Sequence, residues 1–542
     1  MSLDRMGAAF QTRLSFLRTL LRRMGNEKWR ITCPRFELDD DGYGMALYTV
    51  ETPLRQYSLI SYSQYLDPAA RTDRVIAEAW DTAFILYDGI PTPDDIARLA
   101  TQAPRQEAGR YSAKELVLSR ANKSVRLFSH VTERLAEGRQ PDGGLLRDIG
   151  YLMRTTAVYA NGKFGLADRQ CYAERPEFAA PFQAEMLAVY LIRCFTFDLV
   201  EHVAERRNSL RYTLMDSGLK RYLGIGNATG LGMAPFLVSH PVLIHNWFAA
   251  RETALARVRS VSSVEPERIV QFQMVLARAR QHVEEWQVED EFQTGQIKVL
   301  RSEIRQISAW LPMLDVRARP WDNLYCRAAT NFSLEGQELI VSLLLEPYPE
   351  LVDDLVEDLS ADPLPFVDVT MTVETLKQIL SDSYDWVSAY NFGDVSTNRY
   401  IWYYSEEKLE PRRGEQRPEI MDTQAMNVTI ARDVQELWVI LSSEDPSLTI
   451  SAFLLKHPDF RYIVNRVQVT SYHPYAEIRD NLIGETCRPI DLLRAKLAYF
   501  GASKFDPKSD LWTRVTMYQG APLADELDET DDWCFPSLVE EG

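Results

Sequence analysis

His240 and His245 fall in one short segment, Ser239-His240-Pro241-Val242-Leu243-Ile244-His245-Asn246-Trp247, and the chain holds seven histidines in 542 residues. An imidazole titrates near neutrality and is the usual proton shuttle, so either His240 or His245 is the expected acid/base, with Asn246 and Trp247 beside the substrate. On a helix a spacing of five sets two side chains on different faces, and Pro241 interrupts. The pair meets around a ligand only if His240 lies in a loop. Just upstream run Gly224, Gly226, Asn227, Thr229, Gly230 and Gly232. So many glycines oppose a helix interior and predict a loop with positive φ or close backbone approach. Asn227 and Thr229 would then contact a ligand beside the loop amides.

A second polar knot is Arg154, Tyr159, Asn161, Gly162 and Lys163, at the end of an expected apolar helix over residues 145–159. Asn161, Gly162 and Lys163 suit a helix C-cap. Arg154 among Leu145, Leu146, Ile149, Leu152 and Met153 does not, and a buried arginine needs a carboxylate or a ligand. Arg154 and Lys163 are therefore expected to hold an anionic or phenolate group, with Lys163 also counted as catalytic. Arg120 and Asn122 sit in Ser119-Arg120-Ala121-Asn122-Lys123-Ser124, read as a polar turn within a helix, either solvated or lining a cleft.

Other chemistries lack their residues. No His-Glu-x-x-His, Glu-x-x-His or Cys-x-x-Cys occurs, so no metal site is expected. The six cysteines are scattered, which fits a reducing compartment. Asp39-Asp40-Asp41-Gly42 lacks the later ligands of a calcium loop and reads as a turn. There is no Gly-x-Ser-x-Gly elbow and no Walker A loop. Gly226-x-x-x-Gly230-x-Gly232 resembles the nucleotide loop of short-chain dehydrogenases, and Tyr404-Ser405-Glu406-Glu407-Lys408 resembles their Tyr-x-x-x-Lys pair. That resemblance implies NAD(P) and hydride transfer. Such a loop should follow a first apolar strand and open a βαβ unit. Here it follows Lys220-Arg221-Tyr222-Leu223.

The elements that must position these residues divide into three stretches. Residues 1–70 read as a helix over 8–24 followed by an antiparallel meander. Residues 71–362 read as a helical body, with helices over 113–136, 145–159, 181–207, 266–289 and 296–310. The 181–207 segment is apolar around most of its circumference, which places it mid-bundle. Residues 363–542 mix strands (399–404, 467–471, 512–518) with helices (428–441, 447–456, 489–500), and 410–418 reads as an exposed loop. The fold class is α+β, predominantly α: a large central helical body with β-containing N-terminal and C-terminal segments. The two β segments are expected to share a sheet.

Sixty Lys+Arg against 78 Asp+Glu give a net charge of −18, which opposes a nucleic-acid partner. The early basic run (Arg13, Arg18, Arg22, Arg23) reads as a solvated helix face. The late acidic run (Asp525, Glu526, Asp528, Glu529, Asp531, Asp532) reads as a solvated end. The longest nearly apolar stretch, 233–244, falls short of the ~20 residues of a membrane span. The opening residues lack a signal-peptide pattern. Expected is a soluble cytoplasmic enzyme of small-molecule metabolism, without metal or redox cofactor, forming a homo-oligomer. Elimination or retro-aldol cleavage of a small anionic or aromatic substrate is its expected chemistry. A non-catalytic binding or assembly scaffold and an NAD(P)-dependent oxidoreductase are the alternatives.

Overall fold

The computed structural model describes residues 10–67, 69, 79–102, 112–156, 175–230, 241–356, 359, 367–388, 390–391, 400–405, 410–415, 425–427, 430–475, 489–494, 496–509, 512–528 and 533–538. The chain forms two compact units, each built from separate stretches of sequence. The larger holds residues 8–229, 254–358 and 495–542, and the smaller holds 1–7, 230–253 and 359–494. The fold is α+β and predominantly α.

The larger unit is organised on a nine-stranded sheet. Its strands are β1 (Arg30–Leu38), β2 (Gly44–Glu51), β3 (Gln56–Ser63), β4 (Thr82–Asp88), β5 (Glu115–Lys123), β6 (Tyr151–Thr155), β7 (Gly224–Gly230), β11 (Ser503–Ser509) and β12 (Trp512–Met517). The spatial order is β1-β2-β3-β4-β5-β6-β7-β12-β11. From β1 to β6 neighbours run antiparallel, and β6 and β7 run parallel. The expected shared sheet exists, yet the N-terminal meander and the C-terminal hairpin stand at its opposite ends. The strands between come from residues 82–230, inside the expected helical body.

Helix α1 (Phe16–Asn26) precedes the sheet, and α2 (Pro93–Gln102), α3 (Phe128–Ala136), α4 (Gly143–Ile149), α5 (Gln183–Arg207) and α6 (Ser217–Tyr222) follow in sequence. As its apolar circumference predicts, α5 is central, packing on β2 to β6 and against α1 and α3. Phe195 meets the rings of Phe84 and Tyr48 at 5.5 and 6.4 Å. Each such side chain taken from water stabilises by roughly 1.5–3 kcal/mol. The other sheet face buries Leu47, Ile60, Ile85, Leu99 and Leu118, with Leu99 supplied by α2. Four long helices complete the unit: Pro266–Glu285, Glu291–Trp310, Pro320–Asn331 and Leu334–Leu345.

Several local expectations are corrected. The helix expected over 113–136 is β5 followed by α3, and that over 145–159 is α4 followed by β6. Strand β5 is covered on both faces, so Leu116, Val117 and Leu118 form a continuous apolar run whose period identifies neither helix nor strand. Gly150, at φ 77°, takes the left-handed position that ends α4. The glycine run is β7 rather than a loop. The basic run is no solvated face, because Arg13, Arg18 and Arg22 are buried and pair with Glu346 and Asp353. Nor is the chain after the acidic run solvated. Trp533, Cys534 and Phe535 are buried, and the Gln11 amide donates to the Cys534 carbonyl at 2.8 Å.

In the smaller unit the strands β8 (Tyr400–Ser405), β9 (Glu410–Glu415) and β10 (Ala425–Asn427) form a separate sheet, ordered β10-β8-β9. The expected exposed loop over 410–418 is thus β9 through Glu415. The strand expected over 467–471 lies inside the helix Arg461–Tyr472, where burial of Val464, Val467 and Val469 overrides β-branched propensity. Helices Val373–Ser383 and Ile450–Lys456 begin at capping threonines, Thr372 and Thr449. Among the described residues, no helix is long and apolar enough to cross a membrane.

Candidate functional site

A cavity of about 250 Å³ opens in the larger unit where β11 and β12, at one end of the sheet, meet α4 and the end of the helix Pro266–Glu285. Each wall has a local cause. Asp142 caps α4 by accepting from the Leu145 amide at 3.0 Å, and the Gly150 turn places Arg147 and Asp148 in the last helical turn. Tyr151 follows on β6. Arg301 donates to the carbonyls of Val283, Glu284 and Trp286 at 3.1, 2.9 and 3.0 Å. These bonds satisfy acceptors left open at a helix C-terminus, and they fix Glu285 and Trp286 at the cavity.

The hairpin contributes the central group. Ser503 pairs with Thr516 and Asp506 with Arg514, so β11 carries one extra residue between those pairs. Within this bulge Lys504 adopts φ 58°, a left-handed conformation that costs a non-glycine residue roughly 1–3 kcal/mol. Bulges re-aim side chains, and two hydrogen bonds hold this one. The Lys504 amine donates to the Arg147 carbonyl and to the Tyr222 hydroxyl, each at 3.1 Å. Burial pushes its pKa down to about 8 against the opposing pull of Glu285, Asp148 and Asp506. Burial also raises the Tyr222 phenol, so that group stays protonated.

Both signs of charge line the cavity. Arg126, Arg147, Lys504, Lys508 and Arg514 face Asp148, Glu285, Glu289 and Asp506. Asp506 Oδ2 pairs with Lys508 at 3.1 Å, while its buried Oδ1 has no hydrogen-bond partner among the described residues. Burial raises this carboxyl above its ordinary range. The Trp286 indole N–H is likewise buried without a partner. Guanidinium and ammonium groups beside a protonated phenol and a raised carboxyl can bind a small anion and move protons on it. Among the described residues no cluster of three or more His, Cys, Asp or Glu side chains could hold a metal.

Part of the expected site also comes together. Asn122 and Arg154 are register partners across β5 and β6, and Arg120 shares their sheet face. Arg154 is buried, on a strand and not on the expected helix, and stands beside Gly226 of β7. The asparagines have structural roles. The Asn122 amide accepts from the Asp81 N–H at 2.9 Å and donates to the Ala79 carbonyl at 3.0 Å. Asn227 donates to the Thr155 carbonyl at 2.7 Å, tying β7 to β6. Gly226 permits close approach: a Cβ there would lie 2.7 Å from the Tyr151 ring. Gly226 and Gly230 therefore lie in a strand, not in a turn wrapped around a phosphate; Gly232 lies outside the described residues.

His245, Asn246 and Trp247 belong to the smaller unit, on the helix Pro241–Arg259. His245 Nδ1 accepts from the Tyr475 N–H at 3.2 Å. Its ring stacks on Tyr475 and meets His473 edge-on, with centroids 5.6 and 4.9 Å apart. Burial, then the neighbouring His473, pushes His245 below the ordinary imidazole value. Trp247 is a core residue. His240, Tyr159, Asn161 and Lys163 lie outside the described residues, and Thr229 lies in β7.

Lys504, Arg147, Arg514 and Asp506 escape the motif search. One signal was available: Lys504, Asp506 and Lys508 recur at every second position just before an aromatic strand. On a strand that spacing gathers charge on one face. No protein-family model matches the chain, and neither a curated protein nor a solved structure matches it significantly.

Proposed function

We propose that the protein is an enzyme of small-molecule metabolism that performs lyase-type acid/base chemistry on a small anionic substrate in the β11–β12 cavity. Lys504 supplies the reactive amine in this reading, Arg147 and Arg514 attract the anion, Tyr222 positions the amine, and Asp506 moves protons. The observation that carries it is Lys504 itself. A lysine held in a strained bulge, with its amine buried in an arginine-lined cavity, has a cost that folding alone does not explain. A pKa of about 8 leaves a useful neutral fraction near neutrality, which an exposed lysine lacks. The volume suits a metabolite rather than a polymer.

The test is a thermal-shift and calorimetric screen of small carboxylates, phenolic acids included. A ligand is expected that stabilises the protein, binds at least tenfold more weakly (about 1.4 kcal/mol) to Arg514→Gln, and is indifferent to His245→Gln. Loss of binding in Arg154→Gln with no effect of cavity substitutions would move the site to the β5–β6 face and overturn this placement.

A further inference from the structure

The two hydrogen bonds of Lys504 do more than bury its amine. A neutral amine has two N–H bonds and one lone pair. Both N–H directions are taken by fixed acceptors, the Arg147 carbonyl and the Tyr222 hydroxyl, each 3.1 Å away. The remaining tetrahedral position carries the lone pair, and Lys504 lines the cavity. Once the amine is deprotonated, this arrangement holds it as an oriented nucleophile.

We propose that Lys504 is the nucleophile of a Schiff-base lyase, its amine condensing with the carbonyl carbon of a small 2-oxo carboxylate whose carboxylate group meets the guanidinium groups of Arg147 and Arg514. This rests on the cavity being the site. A carboxylate fits the cavity better than a phosphate: four acidic side chains already oppose the five basic ones, so the wall tolerates one negative charge more readily than two.

Each step closes on groups present. The amine lone pair forms the C–N bond as the carbonyl π pair moves to oxygen, and the proton that the nitrogen then sheds passes to that oxygen to give a carbinolamine. The Asp506 carboxyl, raised by burial, supplies the proton with which that oxygen leaves as water, and the nitrogen lone pair forms the iminium. In retro-aldol cleavage the Asp506 carboxylate, which lines the cavity, takes the proton of the substrate's hydroxyl two carbons from the iminium carbon. The carbon–carbon pair moves into the iminium to give an enamine while an aldehyde departs. Asp506 gives that proton to the enamine carbon, water adds to the resulting iminium with its proton returning to Asp506, and the carbinolamine collapses to a 2-oxo acid and free Lys504. No oxidant or reductant is consumed.

The experiment incubates the full chain with pyruvate or glyoxylate and sodium cyanoborohydride, then maps modified lysines by peptide mass spectrometry. Calorimetry with the same acids, without reductant, runs in parallel on wild type and Lys504→Met. Expected is one dominant reduced adduct at Lys504, formed about a hundredfold faster at pH 7 than on exposed lysines, because its neutral fraction is larger. Labelling spread over exposed lysines at equal rates, with calorimetric binding intact, overturns the nucleophile while the proposed site stands. Absence of both adduct and binding removes both. If Lys504→Met does not fold, the wild-type map and its pH dependence decide alone.

Discussion

Lys504 and Tyr222 are joined by a hydrogen bond of 3.1 Å, and the amine also lies 5.6 Å from the centre of the Tyr222 ring. One tyrosine hydroxyl thus anchors an amine held in a left-handed bulge. The consequence is a charge the fold keeps at a cost.

That cost has a pH signature. The folded amine titrates near 8 and the ordinary value is 10.5. Between those limits the unfolded chain holds a proton that the folded chain has released, so stability rises with pH across the window. Below pH 8 both states are protonated and the full penalty applies. Relative to Lys504→Met, the wild type should gain up to about 3 kcal/mol between pH 8 and 10.5. Urea midpoints at both ends of the window measure this, and a constant difference between the two proteins would refute it.

His282 should shape the acid limb. Its buried Nδ1–H donates to the Pro536 carbonyl at 2.7 Å, and burial, then Lys504, lowers its pKa to about 4. The unfolded chain binds a proton first, near the ordinary 6.5. Stability is therefore fully present above 6.5 and lost as pH falls toward 4. His282→Gln should flatten thermal melts over that interval, and an unchanged acid limb would show that His282 is not its source.

Gly226→Val should impair fold and cavity together. The new Cβ would sit 2.7 Å from the Tyr151 ring, and Tyr151 lines the cavity. Overpacking of this kind costs about 1–3 kcal/mol. A denaturant midpoint at the wild-type value would mean that β6 and β7 tolerate the methyl groups.

Arg18 and Glu346 form a two-pronged buried ion pair, one prong measuring 2.9 Å between Nη2 and Oε2. Arg18→Leu would leave Glu346 to Arg13, whose nearest nitrogen lies 3.9 Å away. A loss of about 3–5 kcal/mol is expected, because the remaining carboxylate stays buried with poorer compensation. Restoring most of that loss with Arg18→Leu plus Glu346→Gln, read by urea unfolding, separates stranded charge from lost packing.

Local pattern alone determined much of this protein. The amphipathic stripe of α1, the all-round apolarity of α5, the meander around Asp39–Gly42 and the threonine cap before Val373 are properties of neighbouring residues. Each follows from periodicity or capping that involves one element at a time. The oddity of Arg154 was legible too, since an arginine in an apolar run is visible without a fold. Only tertiary structure decided the rest. Whether Leu116–Leu118 form helix or strand depends on β4 lying alongside and on β6 pairing further along the same strand, and no short window contains those partners. Whether Arg18 is solvated depends on Glu346, which lies 328 positions away. The cavity is the extreme case. Lys504 meets the Arg147 carbonyl across 357 positions, and its strained bulge exists only because β11 pairs out of step with β12. Periodicity reports which face a residue occupies, but the depressed pKa of an amine is set by burial and by charges that only the completed fold brings near.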